Sequence, residues 1–207
     1  RIAEVVELRP ADDLVDIGCG DGTLLRIAER IGTRTAVGLL ATEEEVAVLR
    51  RFGLEAKQGF THQLPLADEC ASVIVCNNVL LIVPRENIPA SLREIYRIAK
   101  PGARIFIGEI PAAQQPDPTP RFTTRRETLA YLYREHGLRT WFGMLRRMVW
   151  WALRGQPAVL RPGTAISFFS DPSEFIAMAQ DAGLAFVRYW QHDHPNTRNN
   201  YLFRKAS

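Results

Sequence analysis

Asp16, Gly18, Gly20 and Gly22 stand at alternate positions in and just after a short apolar run, Leu14-Val15-Asp16-Ile17. Glycine has no Cβ, so a turn of this composition between a strand and a helix lets backbone amides come close to a ligand. A dinucleotide fingerprint, GxGxxG, would need a glycine where Thr23 stands, which disfavours a nicotinamide oxidoreductase. A second polar pair, Asn77-Asn78, closes another apolar run. Of the four histidines, His192 and His194 would share one face of a strand. No third ligand has metal spacing, so no metal site is expected. No residue stands out as catalytic. His136, between Glu135 and Gly137, is the nearest to a general base, and a solvent-facing place at a helix end is its plainer reading.

These residues need strands and helices to hold them, and the pattern supplies them. Residues 14–17 predict a buried strand, and apolar spacing over 23–31 predicts a helix. Residues 36–40 read as a second strand, feeding a capping box in which Thr42 and Glu45 satisfy each other's free amides. A third strand falls near 54–58 and a strongly apolar fourth at 72–76. A helix over 89–99 ends at Lys100-Pro101-Gly102, and 104–108 is a fifth strand. Repeated strand–helix units of this size imply a doubly wound parallel sheet. Four prolines between 111 and 120 break the pattern, and two helices follow at 123–136 and 138–154. A helix over 171–182, opened by Ser170 or Asp171, leads to strands at 185–191 and 201–204 joined by residues 192–200.

The Asp16-x-Gly18-x-Gly20-x-Gly22 spacing resembles the first motif of the class I S-adenosylmethionine-dependent methyltransferases. Gln63-Leu64-Pro65-Leu66 is similar to the family's element ahead of strand four. Residues 92–102 are similar to its helix ending in a Lys-Pro-Gly turn, and residues 169–184 with the last two strands are similar to its closing helix and hairpin. The resemblance covers about 1–110 and 166–205. It implies an α/β, Rossmann-like doubly wound sheet, mostly parallel with a C-terminal antiparallel hairpin, carrying a helical insert. It also implies S-adenosyl-L-methionine as cofactor. Gly18 and Gly20 would pack under the cofactor's methionine and ribose, and Asp16 would receive its ammonium group. Cys19 and Gly22 complete the loop, and Leu40, Phe60 and Asn77 complete the implied cofactor set from three other strand ends.

Two positions depart from the family pattern. Where the family places an acid to grip the ribose hydroxyls stands Leu40, and where it often has an acid near the adenine stands Phe60, which could flank that ring. Each lost charge-assisted bond costs about 1.5–3 kcal/mol, or roughly tenfold to a hundredfold in affinity. Glu43 or Glu44 could reach back to the ribose, although acids at a helix N-terminus are favoured there anyway. Methyl transfer is therefore one reading, and a degenerate, non-catalytic binding or regulatory domain of the same fold is the other. The Asn77-Asn78-Val79 end of strand four lacks the Pro-Pro-aromatic continuation of amino-methylating DNA enzymes.

The 207 residues are 46% apolar and 24% charged, which excludes a disordered tail, a fibre or a rod and fits one domain, 1–207, with residues 112–165 as an insert. Net charge is +3, but nine arginines against two acids over 121–161 give that stretch +7 and leave −4 elsewhere. Such a segment suggests an anionic partner. In residues 138–154 tryptophans and arginines flank a face of Leu145, Met148, Val149, Ala152 and Leu153. Four readings stay open: peripheral contact with an anionic membrane, a lid over a phosphate-bearing small-molecule, lipid-linked or glycan acceptor, RNA binding, and a lid packed on its own domain. Nucleic acid ranks behind the others. Three cysteines without metal spacing fit buried thiols in a reducing, cytoplasmic setting, and no apolar run approaches a membrane span. No signal peptide is expected, and a start at Arg1 leaves room for residues before it.

Overall fold

The computed structural model describes residues 2–112, 167–193 and 197–206, with isolated positions Leu138, Phe142, Leu145, Arg146, Val149 and Leu153. Contacts divide the chain into two units, one of residues 1–114 and 165–207 and one of 115–164.

The first unit is a seven-stranded sheet flanked by helices. A single turn, α1 (Ile2–Val5), precedes β1 (Asp13–Ile17), α2 (Thr23–Ile31), β2 (Thr35–Leu40), α3 (Glu43–Arg51), β3 (Ala56–Gln58) and β4 (Ala71–Asn77). Then come α4 (Ile88–Ile98), β5 (Ala99–Pro111), α5 (Pro172–Asp181), β6 (Leu184–Asp193) and β7 (Thr197–Lys205). Strand order is β3-β2-β1-β4-β5-β7-β6. The first five strands run parallel, and β7 is antiparallel to both β5 and β6. All five residues of β1 are buried, as a strand covered on both faces requires. The sheet has the mixed, doubly wound form expected from the sequence.

Three local expectations need correction. β5 begins at Ala99, because Ala99 already pairs with Ala71, and an irregularity before Arg104 absorbs Lys100-Pro101-Gly102 within the strand. The last connection is far shorter than 192–200: β6 runs to Asp193 and β7 starts at Thr197. At α3 the Thr42 hydroxyl accepts from Glu45 N at 3.3 Å and donates to the Glu45 carboxylate at 2.9 Å, so the reciprocal contact is side chain to side chain. The predicted helix over 123–136 lies outside the described residues. The six described positions within 138–154 are all helical.

Two side-chain systems fix the frame. Arg97 of α4 donates to the carbonyls of Leu66 (2.8 Å) and Leu64 (3.0 Å), while the Glu94 carboxylate accepts from Leu64 N (2.8 Å). This ties the Leu64-Pro65-Leu66 segment to the helix after strand four, a physical reason for the two to occur together. At the amino ends of the strands, Asp12 accepts from Ser72 and Arg104, and Asp13 accepts from Arg34, Thr35 and Lys100. The Arg34 guanidinium, with Lys100, holds the Asp13 carboxyl well below the usual carboxylate range. This network lies at the opposite end of the sheet from the glycine loop.

Candidate functional site

The order of the strands reverses between β1 and β4: the chain moves outward through β2 and β3, then crosses back to β4 and β5. Ligands of open α/β sheets bind at such a switch point, beyond the carboxyl ends of the strands. The turn leaving β1 occupies that place. Gly18, Gly20 and Gly22 have φ of 71°, 53° and 71°. Gly18 N and Cys19 N both donate to Leu39 O, at 2.8 and 3.3 Å, which folds the turn over the end of β2.

A cavity of about 290 Å³ opens here, lined among others by Asp16, Gly18, Cys19, Thr23, Val75 and Asn77. The Asp16 carboxyl is 6% exposed, and burial, with the Asp21 carboxylate nearby, pushes it up to about 7. Burial pushes the Cys19 thiol up to about 12, so at neutral pH it is a neutral wall of the cavity. Cys76, also buried, is raised to about 12 by the same cause. Asp16 is thus a carboxylate short of a counter-charge, and an incoming cation would find it ready to ionise.

The structure brings Asp16, Gly18, Cys19 and Asn77 of the implied cofactor set to this one cavity. Gly20 has open space where a Cβ would stand. Gly22 packs inward, since a Cβ there would lie 2.5 Å from Leu54 Cδ1. Leu40 ends β2 as the register places it, and it is buried at 7% exposure. Phe60 is 53% exposed, with its ring stacked on that of His62 at 5.9 Å. The Glu43 carboxylate accepts from Arg50 at 2.9 Å.

Some lining residues had no sequence expectation. Ile2 and Ala3 of α1 wall the cavity, together with Leu24 and Ile27 of α2. The apolar spacing of Ile2, Val5 and Val6 was the available signal. Val79 sits so close to Gly18 that a Cβ there would meet its Cγ2 at 2.2 Å. Two non-glycine residues with positive φ mark the neighbouring strand ends, Asn78 (60°) after β4 and Glu109 (63°) in β5. Such conformations cost about 1–3 kcal/mol and cluster where ligands bind. Glu109 lies at the irregularity in β5, where its N–H donates to Asn200 Oδ1 at 3.2 Å.

Among the described residues no group of three or more His, Cys, Asp or Glu could hold a metal ion. His136, His194 and the tryptophans of the insert lie outside the described residues. Cys70 is half-buried, while Cys19 and Cys76 are buried, and all three are free. No described helix is long and apolar enough to cross a membrane.

Comparison with known proteins gives a consistent picture. Residues 15–107 match the family model described as a methyltransferase domain. The chain is 33% identical over 113 residues to malonyl-(acyl-carrier protein) O-methyltransferase of Serratia marcescens, an overlap of 54% of this chain and 44% of that protein. It is 26% identical over 161 residues to demethylmenaquinone methyltransferase of Streptomyces griseus, covering 68% and 66% of the two chains. The chain therefore spans only part of the length of these curated relatives. Among solved structures, a SAM-dependent methyltransferase from Methanosarcina mazei superposes with a TM-score of 0.65 at 16% identity, covering 99% of this chain and 97% of that one.

Proposed function

We propose that this chain, whose residues 15–107 match a methyltransferase-domain model, is a class I S-adenosylmethionine-dependent methyltransferase that transfers a methyl group from S-adenosyl-L-methionine to a small-molecule acceptor, lipid- and glycan-linked forms included. The observation that carries this reading is the buried Asp16 carboxyl beside a glycine turn at the switch point of the sheet. The residues present fit the amino-acid end of the cofactor. Asp16 would receive the ammonium group, Gly18 and Gly20 would admit the chain of the ligand to the backbone, and Asn77 would line the reacting end. Phe60 would flank the adenine. Leu40 offers no acceptor to the ribose.

When bound, the cofactor supplies an activated methyl on a sulfonium, so the protein's own task is to hold and align the acceptor. The relatives named for malonyl-(acyl-carrier protein) and demethylmenaquinone support a carrier-bound or ring-bearing acceptor. Calorimetry with S-adenosylmethionine and S-adenosylhomocysteine tests the reading. Micromolar binding is expected, and no binding at millimolar cofactor would overturn it in favour of a non-catalytic domain. In the same measurement Leu40→Asp is expected to tighten binding about tenfold to a hundredfold by restoring one charge-assisted bond to the ribose. An unchanged affinity would mean that the ribose does not lie beside β2.

Residues 112–165 would form a basic insert that contacts an anionic surface or substrate. The described apolar positions of its second helix, Leu138, Phe142, Leu145, Val149 and Leu153, fall within about 80° of arc at the helical repeat. Leu138, Phe142, Val149 and Leu153 are all more than half exposed, and Arg146 is exposed beside them. An exposed apolar stripe with arginines supports peripheral contact with anionic lipid. The protein is expected to float with vesicles containing phosphatidylglycerol and to stay down with neutral phosphatidylcholine vesicles. Equal flotation, or none, would leave the insert as a lid.

A further inference from the structure

Gly108 stands well inside β5 rather than in a turn. It is buried near the carboxyl end of the strand and pairs with Asn77 of β4. A glycine within a strand weakens it and often marks the close approach of another group. Its φ is not among the positive ones, so backbone conformation gives no reason for it. The reason is steric. A Cβ at Gly108 would lie 2.4 Å from Asn77 Oδ1 and 2.6 Å from both Cε1 and Cζ of Phe106.

Of these neighbours, Asn77 is the one that meets a ligand. Its side chain is half-buried and lines the cavity with Asp16 and Gly18, and no hydrogen bond among the described residues holds its amide. Packing alone therefore sets its place. Everything else around Gly108 is fixed. Asn78 N donates to Gly108 O at 3.1 Å, and Glu109 N donates to Asn200 Oδ1 at 3.2 Å, which ties this stretch of β5 to β4 on one side and to β7 on the other. Asn78 and Glu109, which follow the Asn77–Gly108 pair, both hold positive φ, and such strain persists only where the surroundings over-determine it. The Phe106 ring is 3% exposed and packs on Trp190 at 5.9 Å. A side chain at 108 would meet a pinned backbone, a packed ring and an unbonded amide, and the amide would give way first. Because β4 lies between β5 and β1, a shift away from β5 carries that amide toward Asp16.

We propose that Gly108 is a positioning residue of the cofactor cavity, acting through Asn77. By keeping a side chain out of the space beside Asn77, it lets that amide rest at the cavity wall, where it hydrogen-bonds the bound cofactor. Gly108 is not itself among the lining residues, so its effect on a ligand passes through its neighbour. This inference deepens the methyl-transfer reading above and rests on it.

The test is a double-mutant cycle on the intact chain, read by calorimetry with S-adenosylhomocysteine and by thermal melts. Asn77→Ala and Gly108→Ala are each expected to weaken binding about threefold to tenfold, the share of one hydrogen bond. The double variant should bind no more weakly than Asn77→Ala alone, because the atom that the new methyl strikes has gone. The melting temperature should nevertheless fall on adding Gly108→Ala in either background, since the Phe106 contact remains. A merely structural glycine would lower affinity and melting temperature together in both. If Gly108→Ala does not fold, the same cycle is run on Phe106→Leu, which takes away the two ring atoms and leaves the Asn77 contact. Wild-type affinity in Gly108→Ala or in Asn77→Ala, or losses that multiply in the double variant, would overturn the inference. Failure of the wild-type chain to bind S-adenosylhomocysteine would overturn the cofactor reading, and this inference with it.

Discussion

Asp16→Asn is expected to make the free protein more stable and at the same time to cost it the cofactor. The Asp16 carboxyl is raised to about 7 in the folded chain against an ordinary 3.8, with burial the main cause and Asp21 the lesser one. The folded state therefore keeps a proton that the unfolded chain gives up between about pH 4 and pH 7, and stability falls with rising pH across that window. A difference of this size between the folded and unfolded carboxyl is worth about 4 kcal/mol above pH 7. Asparagine removes the ionisation but remains a buried polar side chain, so a gain of about 2–4 kcal/mol is expected at pH 8, fading to none below pH 4. For a chain of this size that is a rise in melting temperature of roughly 4–16 °C. Binding should move the other way. An ammonium facing an ionised Asp16 makes a charge-assisted contact worth about 1.5–3 kcal/mol, so the variant should lose about tenfold to a hundredfold in S-adenosylmethionine affinity. Wild-type affinity should in turn rise with pH up to about 7 and then level off. Thermal melts from pH 4 to 8, paired with calorimetry, read both effects. A variant that melts lower than wild type at pH 8, or binds equally well, contradicts the role given to this carboxyl.

That opposition between stability and binding was only half visible in the sequence. The strand, the glycine spacing and Asp16 itself could be read from residue order, because short apolar runs and glycine turns are local signals. The position of Leu40 at the end of β2 was legible for the same reason. What could not be read is how completely the fold buries Asp16, because that depends on α1, β4 and α2 arriving from three parts of the chain. The first of these, only four residues long, gave too little pattern to be recognised. The start of β7 failed for the opposite reason. Thr197 to Asn200 carries turn-forming residue types, yet pairing with β5 and β6 extends the strand through them. Asn199, which tertiary pairing buries completely, therefore passed as part of a loop. The insert is the remaining case. Its composition pointed to an anionic partner, and its described positions show an apolar stripe, but residue types alone do not choose between a lipid surface and a substrate.

The glycine loop allows the frame and the ligand to be separated by mutation. Gly18 has φ 71°, and a Cβ there would come within 2.2 Å of Val79 Cγ2. Gly18→Ala therefore incurs a left-handed conformation, about 1–2 kcal/mol, and an overpacked contact of about 1–3 kcal/mol. A loss of about 2–5 kcal/mol in stability is expected, a fall in melting temperature of roughly 4–20 °C. Gly20 has a similar φ of 53° but nothing within 4 Å of its virtual Cβ. Gly20→Ala should cost only the conformational part, about 1–2 kcal/mol, while its methyl projects into space that a ligand on the loop would need. Of the two, Gly20→Ala should thus weaken S-adenosylhomocysteine binding in a protein that still folds, and Gly18→Ala should first lower the melting temperature. The contact half of the Gly18 effect has its own control. Val79→Ala removes the Cγ2 that the new methyl strikes, so the double variant should recover the overpacking share and keep the backbone share. Additive losses in that cycle would place the whole cost in the backbone. A Gly18→Ala protein as stable as wild type would mean that the turn can move away from Val79, and with it the cavity wall that Gly18 and Asp16 share.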